Sequence, residues 1–442
     1  MPGKIDPFLD DSEYANAMGR VRSLEARLLD AVKLSHMVDA PSAEEAARYL
    51  AETEYGGAWE PGADFKDIIL SLHKEVARTY REAFEYSPEP GIVDMFALRH
   101  LFEGFKTAMK AAKVAQSVGG VAGQGVNPPA SALEEARKSL KPQRAVTESV
   151  GFGGARADAA SRADAAFMIV TSDFLGEDPA VLKEWFMQAA TYGEFDDFPS
   201  EFRDALNEAF EARSKGAMGS TIDSILDRHS SNLCLSMARK KRNDLLVDLW
   251  SSRIDMINLA ATLRMKARVE RRSRLQSLRG TGAEETEVAL PESGGEVAVE
   301  VGAGRATGRD LPSAGEGALL TSLARSLIPG GKVPEDRFLA AYGEPWREMP
   351  AVFGGDPIAA VCKEGVEGYL AEGSFARLEK EMDRRILGFV KRFRHVSMGP
   401  EVIAGYLLAK EYEAKNLRFI MFGKMYGSSP DAIKERLRDV NG

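Results

Sequence analysis

Cysteine and histidine are scarce in this 442-residue chain, and neither forms a pattern typical of a metal site. The two cysteines, Cys234 and Cys362, lie far apart without a CxxC or similar spacing. We interpret both as small, buried apolar side chains in a reducing compartment. The five histidines are scattered and include no HExxH pattern. The sequence therefore predicts no metal centre.

The sequence also lacks any stretch of about 20 predominantly apolar residues, which is the length that crosses a bilayer as a helix. Its longest uncharged run, residues 114–133, is rich in Gly, Pro, Gln and Asn, and such a run would not partition into lipid. Residues 1–7 contain no apolar segment of the kind found in a secretory signal. We expect a cytoplasmic protein that does not span a membrane.

Basic residues are outnumbered, because 67 Asp and Glu face 58 Lys and Arg and give a net charge of −9. Proteins that bind nucleic acid usually carry a basic face, so nucleic acid is not the expected partner. The Gly-rich residues 301–308 have neither the GxGxxG nor the GxxxxGK[ST] spacing of a nucleotide loop. The titratable residues suggest no convergent cluster. We expect no cofactor, no catalytic residue and no enzymatic activity.

What the chain does contain is apolar residues at helical spacing, together with helix-capping signals. Tyr14, Met18, Val21 and Leu24 recur on one face of a helix. Ser429-Pro430-Asp431 has the form of an N-cap followed by proline in the first helical turn. Hydrophobic residues make up 44% of the sequence, enough to build real cores. The prediction is an all-α fold of helical bundles.

Two low-complexity stretches divide the chain. One is a Gly- and Pro-rich linker, and the other is a Gly- and Glu-rich insert in which Val297, Val299 and Val301 could form a short β-hairpin. The predicted order is helical bundle 1 at residues 10–115, the linker at 116–163, helical bundle 2 at 164–275, the insert at 276–317 and helical bundle 3 at 318–442.

A short motif occurs twice on predicted helices. Asp255 is followed three residues later by Asn258, and Glu413 by Asn416 in the same way. This spacing places the carboxylate and the amide side by side on one helix face. Upstream, Asp227 and Asp383 form a second echo at a similar separation. Repeats of this kind indicate an assembly with internal quasi-symmetry.

The two carboxylates lie within or beside apolar stripes, so they are expected to be buried. We predict that Asp255 and Glu413 are hydrogen-bonded between helices, and we name Arg264 and Arg418 as candidate partners. Buried acids can also mark catalysis, but no membrane segment or convergent pocket accompanies these.

Two basic clusters stand out against the acidic background. The first is Arg239, Lys240, Lys241 and Arg242, and the second lies between Arg264 and Arg279. Each could be a solvated helix face. Each could equally be a contact surface for an acidic protein partner or for anionic lipid headgroups.

The segment Gly399–Arg418, which contains the second motif copy, resembles the C-terminal signature of the C subunit of V/A-type ATPases, the equivalent of the d subunit of vacuolar ATPases. Asp223–Asp227 and Ile254–Arg264 are similar to the second bundle of that family, and Ile328–Gly331 to the turn that opens its third. Tyr14–Leu29 fits its first bundle. The similarity is collinear over about two thirds of the chain. The first block departs from it, since Leu101 and Gly104 stand where the family pattern places an acid and an asparagine.

The resemblance implies three helical bundles related by a pseudo-threefold axis and arranged as a funnel. It implies that the base lies on the membrane rotor ring at the cytoplasmic face, that the mouth receives the tip of the central shaft, and that the protein transmits torque for proton or sodium transport. A helical scaffold or adaptor that binds unrelated partners is the alternative from another class.

Overall fold

The structure is a computed structural model that describes most of the chain. The described residues are 5–51, 53–56, 65–118, 179–196, 198, 200–280 and 316–440. Within these ranges all regular structure is helical, which confirms the all-α prediction. The same ranges hold no helix with the length and apolarity needed to cross a bilayer.

A short 3₁₀ helix at Asp11–Tyr14 precedes the described α-helices. The α-helices are α1 (Ala15–Glu25), α2 (Ala31–Asp39), α3 (Ala43–Ala51), α4 (Phe65–Tyr86), α5 (Pro90–Val118), α6 (Pro179–Tyr192), α7 (Ser200–Ser214), α8 (Gly219–Lys241), α9 (Asp244–Gly280), α10 (Glu316–Ser326), α11 (Glu335–Gly343), α12 (Met349–Val352), α13 (Ile358–Glu372), α14 (Ala376–Arg394), α15 (Pro400–Met425) and α16 (Pro430–Arg436).

Side-chain caps fix several of these helix starts. Asp30 accepts the N–H of Lys33 at 2.8 Å at the start of α2. Ser429 accepts the N–H of Ala432 at 3.2 Å, and Pro430 follows it at the first position of α16, so the predicted cap is confirmed. Each of these caps satisfies a backbone donor that the helix itself leaves free.

The three longest helices, α5, α9 and α15, pack in a cyclic order. Helix α5 packs on α6, α7 and α8, which follow it in the sequence. Helix α9 packs on α8 of its own block and on α10, α11, α13 and α14, and α15 packs on α14 of its own block and returns to α1, α2, α3 and α4. Each long helix thus lies between the preceding helix of its own block and helices of the next block, and the last block closes on the first.

The predicted low-complexity stretches lie largely outside the described residues. Helix α5 continues to Val118, three residues past the predicted end of bundle 1, and α9 continues to Gly280. At the other side of the insert, α10 begins at Glu316. The remainder of the linker, the start of bundle 2 before Pro179 and the valines of the suggested hairpin lie outside the described ranges.

The cyclic packing explains the composition of α15. Most of this helix is buried, including Lys410, Glu413 and Asn416, and a single stripe of Glu411, Lys415, Arg418 and Phe422 is partly exposed. A helix covered on most of its surface needs apolar residues on most of its faces. Its polar residues must then find partners inside the protein, because an unpaired polar group there costs free energy.

Candidate functional site

The first motif copy, on α9, holds the turn between α10 and α11. Asp255 accepts the backbone N–H of Lys332 at 3.2 Å and of Val333 at 3.1 Å. Asn258 donates to the carbonyl of Ile328 at 2.9 Å and accepts the N–H of the same residue at 2.8 Å. A single amide side chain therefore satisfies both polar groups of one buried residue.

The second copy, on α15, makes the same kinds of bonds. Asn416 donates to the carbonyl of Arg438 at 2.7 Å and accepts its N–H at 2.8 Å. Glu413 accepts the N–H of Leu29, in the turn between α1 and α2. It also accepts the Tyr55 hydroxyl at 2.8 Å. The Asp255, Asn258, Glu413 and Asn416 side chains are all buried.

The α1–α2 turn held by Glu413 and the α10–α11 turn held by Asp255 share a sequence pattern of their own, which lies outside the Asp/Glu-x-x-Asn motif. Arg22-Ser23-Leu24 precedes Leu29 by the same spacing as Arg325-Ser326-Leu327 precedes Lys332. Leu29 donates to Glu413, and Lys332 donates to Asp255. The repeat therefore covers the acceptor helix and the turn it holds.

Gly331 lets the backbone approach Asp255 closely. A Cβ atom there would lie well inside van der Waals contact with Asp255 Oδ1. The preceding Gly330 has φ +97°, a conformation that L side chains rarely adopt. The Pro-Gly-Gly turn is thus required by both space and backbone conformation.

Burial shifts the protonation of Asp255. It raises the pKa of this carboxyl to about 6, although the N–H groups of Val333 and Lys332 favour the charged form and oppose the shift.

Lys410 on α15 lies at the centre of a buried ionic network. Its Nζ is 3.0 Å from Glu54 and from Glu413, and 3.6 Å from Glu75. It also lies 4.4 Å from the centre of the Tyr55 ring. Burial lowers the pKa of Lys410, but the carboxylates of Glu413 and Glu54 outweigh this effect and the net shift is upward. Lys410 therefore remains protonated.

The predicted arginine partner of Asp255 is wrong. Arg264 is half exposed and pairs with Glu379 at 2.8 Å. Asp255 accepts backbone N–H groups instead. Glu413 accepts hydrogen bonds from Tyr55 and Lys410, and none of the bonds described above comes from an arginine. Arg418 is partly buried on α15.

A model of the ATP synthase (C/AC39) subunit family matches residues 17–121 and 312–436. The chain belongs to this family. The two matched ranges include α1–α5 except the first two residues of α1, all of α10–α16 and the Glu413–Asn416 motif. Asp255 and Asn258 lie between the ranges. The motif that they form on α9 is the same as the one on α15, which the family model does match.

A named relative supports the same family. The C subunit of the A-type ATP synthase of Methanocaldococcus jannaschii is 29% identical over 109 residues. The alignment covers 23% of this chain and 27% of the relative, so it spans about a quarter of that protein's length. Together the two matches indicate a non-catalytic ATP synthase subunit.

The second predicted repeat pair, Asp227 and Asp383, does not make equivalent contacts. Asp227 on α8 pairs with Lys106 on α5 at 2.6 Å. Asp383 on α14 pairs with Lys415 on α15 at 2.6 Å and with Arg438 at 2.8 Å. The first acid thus binds the long helix of the preceding block, and the second binds the long helix of its own block.

The basic cluster at the end of α8 is only partly a surface. Arg239, Lys240 and Arg242 are exposed. Lys241 is buried and pairs with Glu89 at 2.9 Å, while also donating to the carbonyl of Asp6 at 3.0 Å. Lys241 therefore stabilises the start of α5 and is not an exposed contact residue as the sequence suggested.

Among the residues that the structure describes, no group of three His, Cys, Asp or Glu side chains is placed to hold a metal ion. The polar groups described above instead bond to backbone turns and to one another.

Proposed function

We propose that this chain is the rotor component that couples the central shaft of a V/A-type ATPase to its membrane rotor ring. In this role it transmits torque for proton or sodium transport and sits on the cytoplasmic face of the membrane. The observation that carries the proposal is the family match over two collinear ranges, which contain the long helices α5 and α15.

The cyclic order of α5, α9 and α15 supports a proposed arrangement of three bundles about a pseudo-threefold axis. In this arrangement the blocks are residues 10–115, 164–275 and 318–442, and they form a funnel whose mouth receives the shaft. Asp255–Asn258 and Glu413–Asn416 favour it, because each pair bonds to a turn of the helices that its long helix packs on.

A protein that transmits torque must resist shear between its parts. The closed order of helices suits this purpose, since the last long helix is tied to the first block through Glu413, Lys410 and their partners. Separating the last long helix from the first block would break the ion pairs of Lys410 with Glu54 and Glu75 and the bond from Leu29 to Glu413.

The test is association with the purified shaft proteins and with the rotor ring, measured by pull-down at low and high salt. We expect binding that weakens as salt rises, because charged contacts contribute to it. The protein alone should neither bind nor hydrolyse ATP. Absence of association at either salt concentration would contradict the coupling role and favour the adaptor alternative.

A further inference from the structure

A pocket of about 290 Å³ lies between the second half of α9 and helices α10 and α11. It is partly open to solvent, and its size is close to the lower end of the range for small-molecule sites. Residues of the three helices form its wall: Lys266, Val269, Glu270, Leu319, Tyr342 and Gly343. Neither copy of the Asp/Glu-x-x-Asn motif contributes to this wall, so the pocket is separate from the contacts described above.

Lys266 brings a cation to the pocket without a carboxylate partner. Its Nζ donates to the carbonyl of Tyr342 at 2.8 Å, and it lies 5.5 Å from the centre of the Tyr342 ring and 5.7 Å from that of Trp346. Among the described residues no carboxylate forms an ion pair with it. Burial lowers the pKa of Lys266, and the nearby Glu270 and Glu344 only partly oppose this shift. An ammonium group has three donors, so two remain for a ligand.

Glu270, one turn further along α9, brings an anion to the same wall. Its carboxylate accepts the indole N–H of Trp346 at 2.6 Å. Residues four apart on a helix are neighbours, and a lysine and a glutamate at this spacing often pair. Here the side chains contact Tyr342 and Trp346 instead, and the described part of the chain contains no ion pair between them. The wall therefore presents one positive and one negative group, separate but adjacent.

The rest of the wall is apolar or aromatic. Val269 and Leu319 are partly exposed, and the buried Tyr342 lies beside them in the wall. Gly343 leaves space, because a Cβ atom built there would meet no atom within 4 Å. The pocket thus combines two opposite charges with an apolar surface that can hold a short hydrocarbon chain.

We propose that this pocket binds a free α-amino acid with an apolar side chain, whose carboxylate pairs with Lys266 and whose ammonium group pairs with Glu270. A zwitterion supplies both charged residues with their missing partners in one molecule, and charge-assisted hydrogen bonds are the strong ones. Its side chain lies against Val269 and Leu319. A simple anion leaves Glu270 without a cation, and a simple cation leaves Lys266 without an anion.

The experiment measures thermal unfolding of the isolated full-length chain with and without L-norleucine at about 10 mM. We expect the melting temperature to rise by about 2 °C, because a ligand that binds only the folded state stabilises it. Two analogues dissect the charges: hexanoate lacks the ammonium group, and pentylammonium lacks the carboxylate. Each should raise the melting temperature by less than half as much. Equal stabilisation by hexanoate would indicate a plain anion site and overturn the proposal, as would the absence of any norleucine effect on the wild type.

Three variants assign the binding to this pocket. Lys266→Met and Glu270→Gln should each lose most of the shift that norleucine causes. Lys266→Met also removes the donor to the Tyr342 carbonyl, so its own melting temperature can fall for a structural reason. Only the ligand-dependent shift is therefore compared between proteins.

Gly343→Leu keeps both charges and fills the open space, so it should also lose the norleucine shift. Lys363→Met is the matched control, since the Lys363 side chain is 65% exposed on α13, and it should keep the full shift. A norleucine shift that persists in both Lys266→Met and Gly343→Leu would place the binding elsewhere and overturn the proposal.

Discussion

Asn258 and Asn416 make the same pair of hydrogen bonds at two distant places in the fold. Each donates to the carbonyl and accepts the N–H of one buried residue, Ile328 for Asn258 and Arg438 for Asn416. Both amides are completely buried. The long helices α9 and α15 are therefore each fastened to a non-helical segment by a single side chain.

Replacing Asn258 by alanine should destabilise the protein by about 2–3 kcal/mol, because the N–H and carbonyl of Ile328 would both be left without a partner. Asn416→Ala should cost a similar amount. Urea unfolding measures the change. Asn207→Ala, on the exposed face of α7, serves as the control and should stay within about 0.5 kcal/mol of wild type. Equal curves for Asn258→Ala and the control would contradict the assigned role.

The Asp255 carboxyl should make stability depend on pH. Its pKa is raised to about 6 in the folded state from an ordinary value of 3.8. Below about pH 3 both states hold the proton and the group has no effect. As pH rises from about 4 to 6, the unfolded chain loses this proton first, so the folded state is progressively penalised, by up to about 3 kcal/mol above pH 6.

Asp255→Asn removes this titration while preserving the shape of the side chain. Relative to wild type, the variant should therefore gain about 2–3 kcal/mol in unfolding free energy between pH 4 and pH 7. The absolute stability also includes lost hydrogen bonds to Lys332 and Val333, so only the pH-dependent difference is diagnostic. A difference between the two proteins that is flat across this range would contradict the raised pKa.

Gly331→Ala should destabilise the turn between α10 and α11. The added methyl group would collide with Asp255 Oδ1, and forcing extra volume into a packed site costs about 1–3 kcal/mol. Gly388→Ala is the matched control, because a Cβ there meets open space in the middle of α14. That control should be more stable than wild type by up to about 1 kcal/mol. Thermal or chemical unfolding that ranks the two variants in the opposite order would refute the close approach.

Lys410→Met should be among the most damaging single substitutions in this protein. It removes the cation shared by the buried Glu413 and Glu75 and the partly buried Glu54, and although Arg78 still pairs with Glu75 at 2.7 Å, Glu413 loses its cation, a change that costs about 3–5 kcal/mol. Adding Glu413→Gln should recover part of the loss by removing one negative charge. Lys363→Met, at a side chain that is 65% exposed, should have little effect. Unfolding free energies for the three proteins test this order.

Local sequence was enough to establish the helical class, several helix starts and the Asp/Glu-x-x-Asn pairs. These features depend on residues close together in the chain, as at Ser429, where the side chain caps a helix that begins at the next residue. The burial of Asp255 and Glu413 also followed from their place beside apolar stripes, because a stripe predicts which helix face is covered.

What covers each helix face depends on the tertiary structure. Glu413 bonds to Leu29, 384 residues away in the sequence, and Lys241 reaches Glu89 at the start of another long helix. Such pairings depend on the cyclic order in which α5, α9 and α15 pack, and helical periodicity carries no record of that order. For this reason the motif residues are evident in the sequence, whereas the partners of Asp255, which are the backbone N–H groups of Lys332 and Val333 and not Arg264, depend on the tertiary structure.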